Sequence, residues 1–127
     1  MGRHSALVLF APGARDEAWA EPLRRLKDSI ATRRPDLTVE LAFLESMAPT
    51  LDATLERLAA RHARIAIAPL FMARGGHLKK DLPRLLESLR QRHPRCEFDV
   101  LPPVGEVQAV LDAMSDWLCD AVVDEKH

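Results

Sequence analysis

The chain has only two cysteines in 127 residues, Cys96 and Cys119, and they form no C-x-x-C pair. Two isolated thiols are not a disulfide framework, and they point to a reducing compartment, the cytoplasm. No apolar run approaches the ~20 residues of a membrane span. The early stretch Ala6-Leu7-Val8-Leu9-Phe10 is too short for the core of a signal peptide, so neither a membrane nor secretion is expected. An excess of one charge is also missing: 18 Lys and Arg stand against 19 Asp and Glu, leaving −1. With no global basic field, nucleic acid is not an expected partner, and an anionic ligand would need a local cluster of cations. No P-loop, G-x-G-x-x-G, G-x-S-x-G or H-E-x-x-H pattern occurs, which argues against nucleotide, hydrolase and zincin chemistry.

What is present is an alternation of two patterns. Continuous apolar runs suit strands buried on both faces: Ala6 to Phe10, Leu37 to Leu44, and Ile65-Ala66-Ile67-Ala68-Pro69-Leu70. Phe98 to Leu101 reads as a fourth, less apolar strand at an edge. Between them run helical stripes: Trp19, Leu23, Leu26 and Ile30; then Leu51, Leu55 and Leu58; then Leu82, Leu85, Leu86 and Leu89. Val107, Val110, Leu111, Met114, Trp117, Leu118 and Ala121 form a last one. Pro22 fits a first helical turn, and Thr50 fits an N-cap. The order βαβαβαβα predicts one α/β domain over residues 1–127: a four-stranded parallel sheet with right-handed crossovers and helices on both faces. Cys96 and Cys119 read as buried thiols.

In such sheets ligands bind beyond the C-terminal strand ends, near the point where strand order reverses. Three loops leave those ends: Ala11 to Asp16, Glu45 to Pro49, and Phe71 to His77. The third joins Gly75 and Gly76 to His77, followed by Lys79 and Lys80. Glycines there free the backbone and remove bulk. Spacing alone favours an ordinary glycine turn with a surface histidine. Glu45 leaves the second strand at the same edge, and a carboxylate with an imidazole suits a borderline divalent metal. His4, His62 and His93 fall at the opposite edge, the latter two at helix C-termini.

Several of these stretches resemble the small class II tetrapyrrole chelatases, the sirohydrochlorin cobalto- and ferrochelatases of the CbiX and SirB type. The resemblance covers nearly the whole chain. It lies in Gly13-Ala14-Arg15-Asp16, in Val39 to Glu45, in Pro69-Leu70-Phe71, and above all in Gly75-Gly76-His77-Leu78-Lys79-Lys80-Asp81-Leu82-Pro83. It implies a half-domain of the chelatase type. The implied reaction inserts Co²⁺ or Fe²⁺, as substrate, into a polycarboxylate tetrapyrrole in cobalamin or siroheme synthesis, with no organic cofactor. His77 and Glu45 match metal-facing and catalytic positions of the family. Arg15, Arg74, Gly75 and Gly76 would hold the tetrapyrrole, with Lys79 and Lys80 beside them and Phe43, Met47, Phe71 and Met72 as an apolar wall. The family's first metal-facing histidine falls at Pro12, and the serine after it at Ala14. Pro12 brings no imidazole, so the alternative is a homologue that binds a tetrapyrrole or metal for carriage or regulation. Larger family members hold two such domains, so the resemblance also implies a homodimer.

Overall fold

A computed structural model describes residues 4–122, the side chain of His77 excepted. Four strands form one parallel sheet: β1 (Ala6–Ala11), β2 (Thr38–Phe43), β3 (Arg64–Pro69) and β4 (Glu97–Val100), in the order β2-β1-β3-β4. The helices are α1 (Glu21–Arg33), α2 (Leu51–Ala59), α3 (Leu82–Arg92) and α4 (Gln108–Ala121). The architecture is the α/β sheet expected from the alternation, with β4 at an edge and β2 at the other.

Successive residues of a strand point to opposite faces, and β1 is apolar at every position because it needs both. Ala6, Val8 and Phe10 join Ile65, Ile67 and Phe98 in a core closed by Leu51, Leu55 and Leu58 of α2 and Leu82, Leu86 and Leu89 of α3. On the other face Leu9 and Ala11 meet Val39, Leu41, Phe43 and Met47, with Leu23 and Ile30 of α1 packed against them. Leu55, Ile65, Ile67 and Leu89 are fully buried, each contributing about 1.5–3 kcal/mol on leaving water.

Local signals set the helix starts. Thr50 Oγ1 accepts from the Ala53 N–H at 3.2 Å, as an N-cap does. Pro22 sits in the first turn of α1, where its missing N–H costs nothing. Asp16 Oδ1 accepts from the Ala18 N–H at 2.9 Å and starts a 3₁₀ turn over Glu17–Ala20. Trp19 therefore belongs to that turn and not to the α1 stripe.

Three expectations need correction. The α1 stripe is shallower than its spacing suggests: no residue of α1 is buried, and Leu26 is exposed. The α4 stripe is helical but uncovered, with no buried residue. Cys119, on that helix, is exposed, whereas Cys96, just before β4, is buried. Periodicity marks which side of a helix is apolar, and it does not say what that side meets.

Candidate functional site

Strand order reverses between β1 and β3: the chain goes from β1 outward to β2, then returns across β1 to β3. The loops that follow β1 and β3 meet at this switch point, where α/β sheets bind ligands. Pro12 to Arg15 come from one loop and Phe71 to Gly76 from the other. The Leu70 N–H donates to the Phe10 carbonyl at 2.7 Å and ties the two strand ends together.

Glu45 stands beside the first loop. β2 ends at Phe43, but the Leu44 N–H donates to Ala11 at 2.9 Å and the Glu45 N–H to Pro12 at 3.2 Å. Pairing thus continues two residues past the strand and delivers Glu45, exposed, next to Pro12. Gly13 makes this approach possible. Its φ is 91°, and a Cβ there would lie 2.0 Å from the Glu45 carbonyl oxygen. Ser46, next in the chain, also takes the left-handed region, with φ 67°.

Gly75 and Gly76 differ in kind. Neither has a left-handed φ, and a Cβ on either would meet nothing within 4 Å. The fold requires glycine at position 13 and does not require it at 75 or 76. The two leave an exposed strip of bare backbone at the switch point. A π-helical turn, His77–Asp81, then leads into α3. Such turns recur at functional sites in proteins. The side chain of His77 lies outside the described residues, so its expected role is neither placed nor opposed here.

The expected cations divide. Arg15, Lys79 and Lys80 are exposed, and Arg15 makes no ion pair among the described residues. Arg74 is already engaged: its Nε lies 3.1 Å from Glu106 Oε2, and its Nη2 donates to Oε1 at 3.3 Å. Glu106 lies 32 positions later, in a 3₁₀ turn over Val104–Glu106. No local sequence signal could have linked it to the loop.

The expected apolar wall is also split. Phe43 and Met47 belong to the α1-side core. Phe71 packs toward the opposite core, its ring 5.4 Å from that of Phe10. Met72 is 58% exposed. An apolar cavity of about 220 Å³ does open at this edge, lined by Phe10, Phe43 and Leu44, by Leu51, and by Leu82 and Leu85, with Asp52 and Asp81 as its charged members. The sequence did not single out Leu44, Asp52 or Leu85 for it, since each reads locally as an ordinary strand-end or helix residue.

The clearly perturbed acids lie elsewhere. Asp99, on β4, is held below the usual carboxylate range by hydrogen bonds from Arg64 (2.7 Å) and then His4 (2.7 Å). Glu56, on α2, is held low chiefly by its hydrogen bond with His93 and also by Arg92. Cys96 is raised mainly by burial. The Ser5 hydroxyl and His62 Nδ1 are 2.7 Å apart. These contacts tie the start of β1 to β4 and to the end of α2, and α2 to the end of α3. His4, His62 and His93 at that edge are each engaged in contacts within the fold. Among the described residues, no three His, Cys, Asp or Glu side chains gather to hold a metal ion. No helix among them is long and apolar enough to cross a membrane.

Known proteins resemble this chain in sequence and in fold. The chain is 36% identical over 67 residues to a sirohydrochlorin cobaltochelatase of Methanosarcina barkeri, covering 52% of each. It is 33% identical over 89 residues to one of Methanocaldococcus jannaschii, covering 69% of this chain and 62% of that enzyme. A sirohydrochlorin ferrochelatase of Priestia megaterium matches at 32% identity, but the aligned part is only 33% of that protein. The chain thus aligns with a third to about three-fifths of these relatives. A crystal structure of a CbiX protein from Marinobacter aquaeolei superposes with a TM-score of 0.75 at 26% identity, covering 91% of this chain and 94% of that one. The cobalt complex of SirB from Bacillus subtilis gives 0.74 at 21% identity, covering 91% of this chain and 50% of that one, a likeness of fold. The CbiX family model matches residues 6–121, and the chain belongs to the CbiX family.

Proposed function

We propose that this chain is a sirohydrochlorin-type chelatase that places Co²⁺ or Fe²⁺ in a polycarboxylate tetrapyrrole at the C-terminal edge of its sheet. The observation that carries the reading is the pair Gly75 and Gly76, which the fold does not need as glycines. Bare backbone at a switch point lets a flat ring come close. Exposed Arg15, Lys79 and Lys80 lie on segments that follow the same strand ends, and charge-assisted bonds to carboxylates are the strong kind. Arg74 joins them by exchanging Glu106 for a ligand carboxylate.

Insertion exchanges the divalent ion's water for four pyrrole nitrogens and releases two protons from the macrocycle. The His77 imidazole, with a reference pKa of about 6.5, is suited to take one of those protons or to hold the ion. Glu45 offers a carboxylate for the ion or for the second proton. Two such groups, without an imidazole at Pro12, suit brief delivery of a metal better than storage. The same reading has the chain acting in the cytoplasm as one domain, paired with a second copy of itself.

Pro12 favours a second reading, a carrier that binds tetrapyrrole or metal and does not insert it. One experiment separates the two. Purified protein is mixed with sirohydrochlorin and Co²⁺ or Fe²⁺, and absorbance is followed against His77→Ala and against no protein. The enzyme reading expects acceleration over the protein-free rate, falling ~10²-fold or more in His77→Ala. A spectral shift on binding without acceleration establishes the carrier. Neither shift nor acceleration removes the tetrapyrrole reading.

A further inference from the structure

Among the described residues only two take a left-handed φ, Gly13 at 91° and Ser46 at 67°. Both adjoin Glu45, Gly13 across the loop and Ser46 along the chain. Glycine adopts that region freely, whereas a residue with a Cβ does so at a cost. Such residues persist where the surrounding structure enforces them, and they cluster at functional sites. At Ser46 two anchors do the enforcing.

The first anchor is the backbone of Glu45. Its N–H donates to Pro12 at 3.2 Å, and its carbonyl oxygen lies 2.0 Å from where a Cβ on Gly13 would be. Both peptide groups beside its Cα are therefore held against the first loop. The second anchor is Met47, buried in the α1-side core with Leu41 and Phe43. An extended chain would carry Met47 ~13 Å beyond Phe43. Instead the two share one core. By Pro49 the chain is back beside Phe43, whose N–H donates to the Pro49 carbonyl at 2.9 Å. The reversal begins at Ser46, between the two anchors, and Glu45 and Ser46 stay exposed.

An extended residue at position 46 would break this arrangement, and one anchor would have to give. Burying a methionine is worth more than one backbone hydrogen bond at an exposed edge. Glu45 is thus the part that would move, and its carboxylate with it.

We infer that Ser46 is a positioning residue, whose left-handed turn lets the chain reverse into the Met47 anchor while Glu45 stays fixed at the switch point. The inference rests on the proposed reading of Glu45 as a metal-facing carboxylate and adds the residue that aims it. A carboxylate whose backbone is already held has little freedom to lose on meeting the ion.

The test measures Co²⁺ uptake by the whole chain, without tetrapyrrole, by titration calorimetry. Glu45→Gln sets the level reached when the carboxylate is lost. Ser46→Val, whose branched Cβ disfavours the left-handed region, should fall to that same level, about 10–100-fold weaker than the parent. Ser46→Gly and Ser46→Asn tolerate the region and should bind as the parent does. Glu45→Gln combined with Ser46→Val should bind no more weakly than Glu45→Gln alone. Far-UV circular dichroism checks each fold, and Ser46→Thr repeats the comparison with a milder branched side chain. Parent-level binding in Ser46→Val overturns the inference and leaves Glu45 on the metal. A matching loss in Ser46→Gly does the same, because the hydroxyl and not the turn would then matter. A further loss in the double variant also does so, because Ser46 would then act through another group. Glu45→Gln binding like the parent, or a parent that takes up no Co²⁺, overturns the inference together with the proposed role of Glu45.

Discussion

The Glu45 N–H donates to the Pro12 carbonyl oxygen at 3.2 Å. The carboxylate proposed to face the metal therefore hangs from the backbone of the residue that stands where the family's histidine would be. The bond uses a carbonyl, which every residue has, and so does not depend on proline. Replacing Pro12 leaves the position of Glu45 intact while changing the chemistry beside it.

Pro12→His should therefore restore a third metal-facing group. Insertion of Co²⁺ into sirohydrochlorin is expected to rise by about 10²-fold, the scale of one positioned base. Absorbance kinetics of the variant against the parent chain measure it, and an unchanged rate would show that this position does not face the reaction.

The glycines divide into two experiments. Gly13→Ala forces a left-handed φ and a backbone collision, and should cost at least about 1–3 kcal/mol in chemical unfolding. Gly75→Ala and Gly76→Ala meet neither obstacle, so their stability should stay within about 0.5 kcal/mol of the parent. Their tetrapyrrole affinity should fall, because a methyl group then occupies the proposed approach.

Arg74 and Glu106 form a half-exposed pair, worth no more than about 1 kcal/mol. Glu106→Gln should thus barely move the melting temperature. It should raise affinity for a polycarboxylate tetrapyrrole several-fold by freeing the guanidinium, an effect readable by absorbance titration. Arg74→Ala should lower that affinity.

Asp99 sets a pH dependence at the other end of the sheet. Its folded pKa lies below its unfolded one because Arg64 and then His4 bond its charged form. The stability it adds is present above the unfolded value, about 3.9, and is lost as pH falls through the lower folded value. Asp99→Asn should melt earlier than the parent at neutral pH, and the gap should close below about pH 4. Glu56 titrates in the same sense, so the difference between the two proteins isolates Asp99. A gap constant down to pH 2 would contradict this account.

The four strands, their parallel direction and the existence of the four helices were legible in the sequence, because burial on two faces demands unbroken apolar runs and an amphipathic helix shows a periodic stripe. The Gly-Gly-His loop was legible as a candidate by its place after β3 and by its likeness to the family. Tertiary structure decided what depends on groups distant in the chain. It separated Gly13, which the approach of Glu45 demands, from Gly75 and Gly76, which nothing in the fold demands. It joined Arg74 to Glu106 and divided Phe43 from Phe71 between the two faces of the sheet. It also left the α4 stripe, as apolar as any other, facing no buried partner. Periodicity is a property of one segment, and a contact is a property of two.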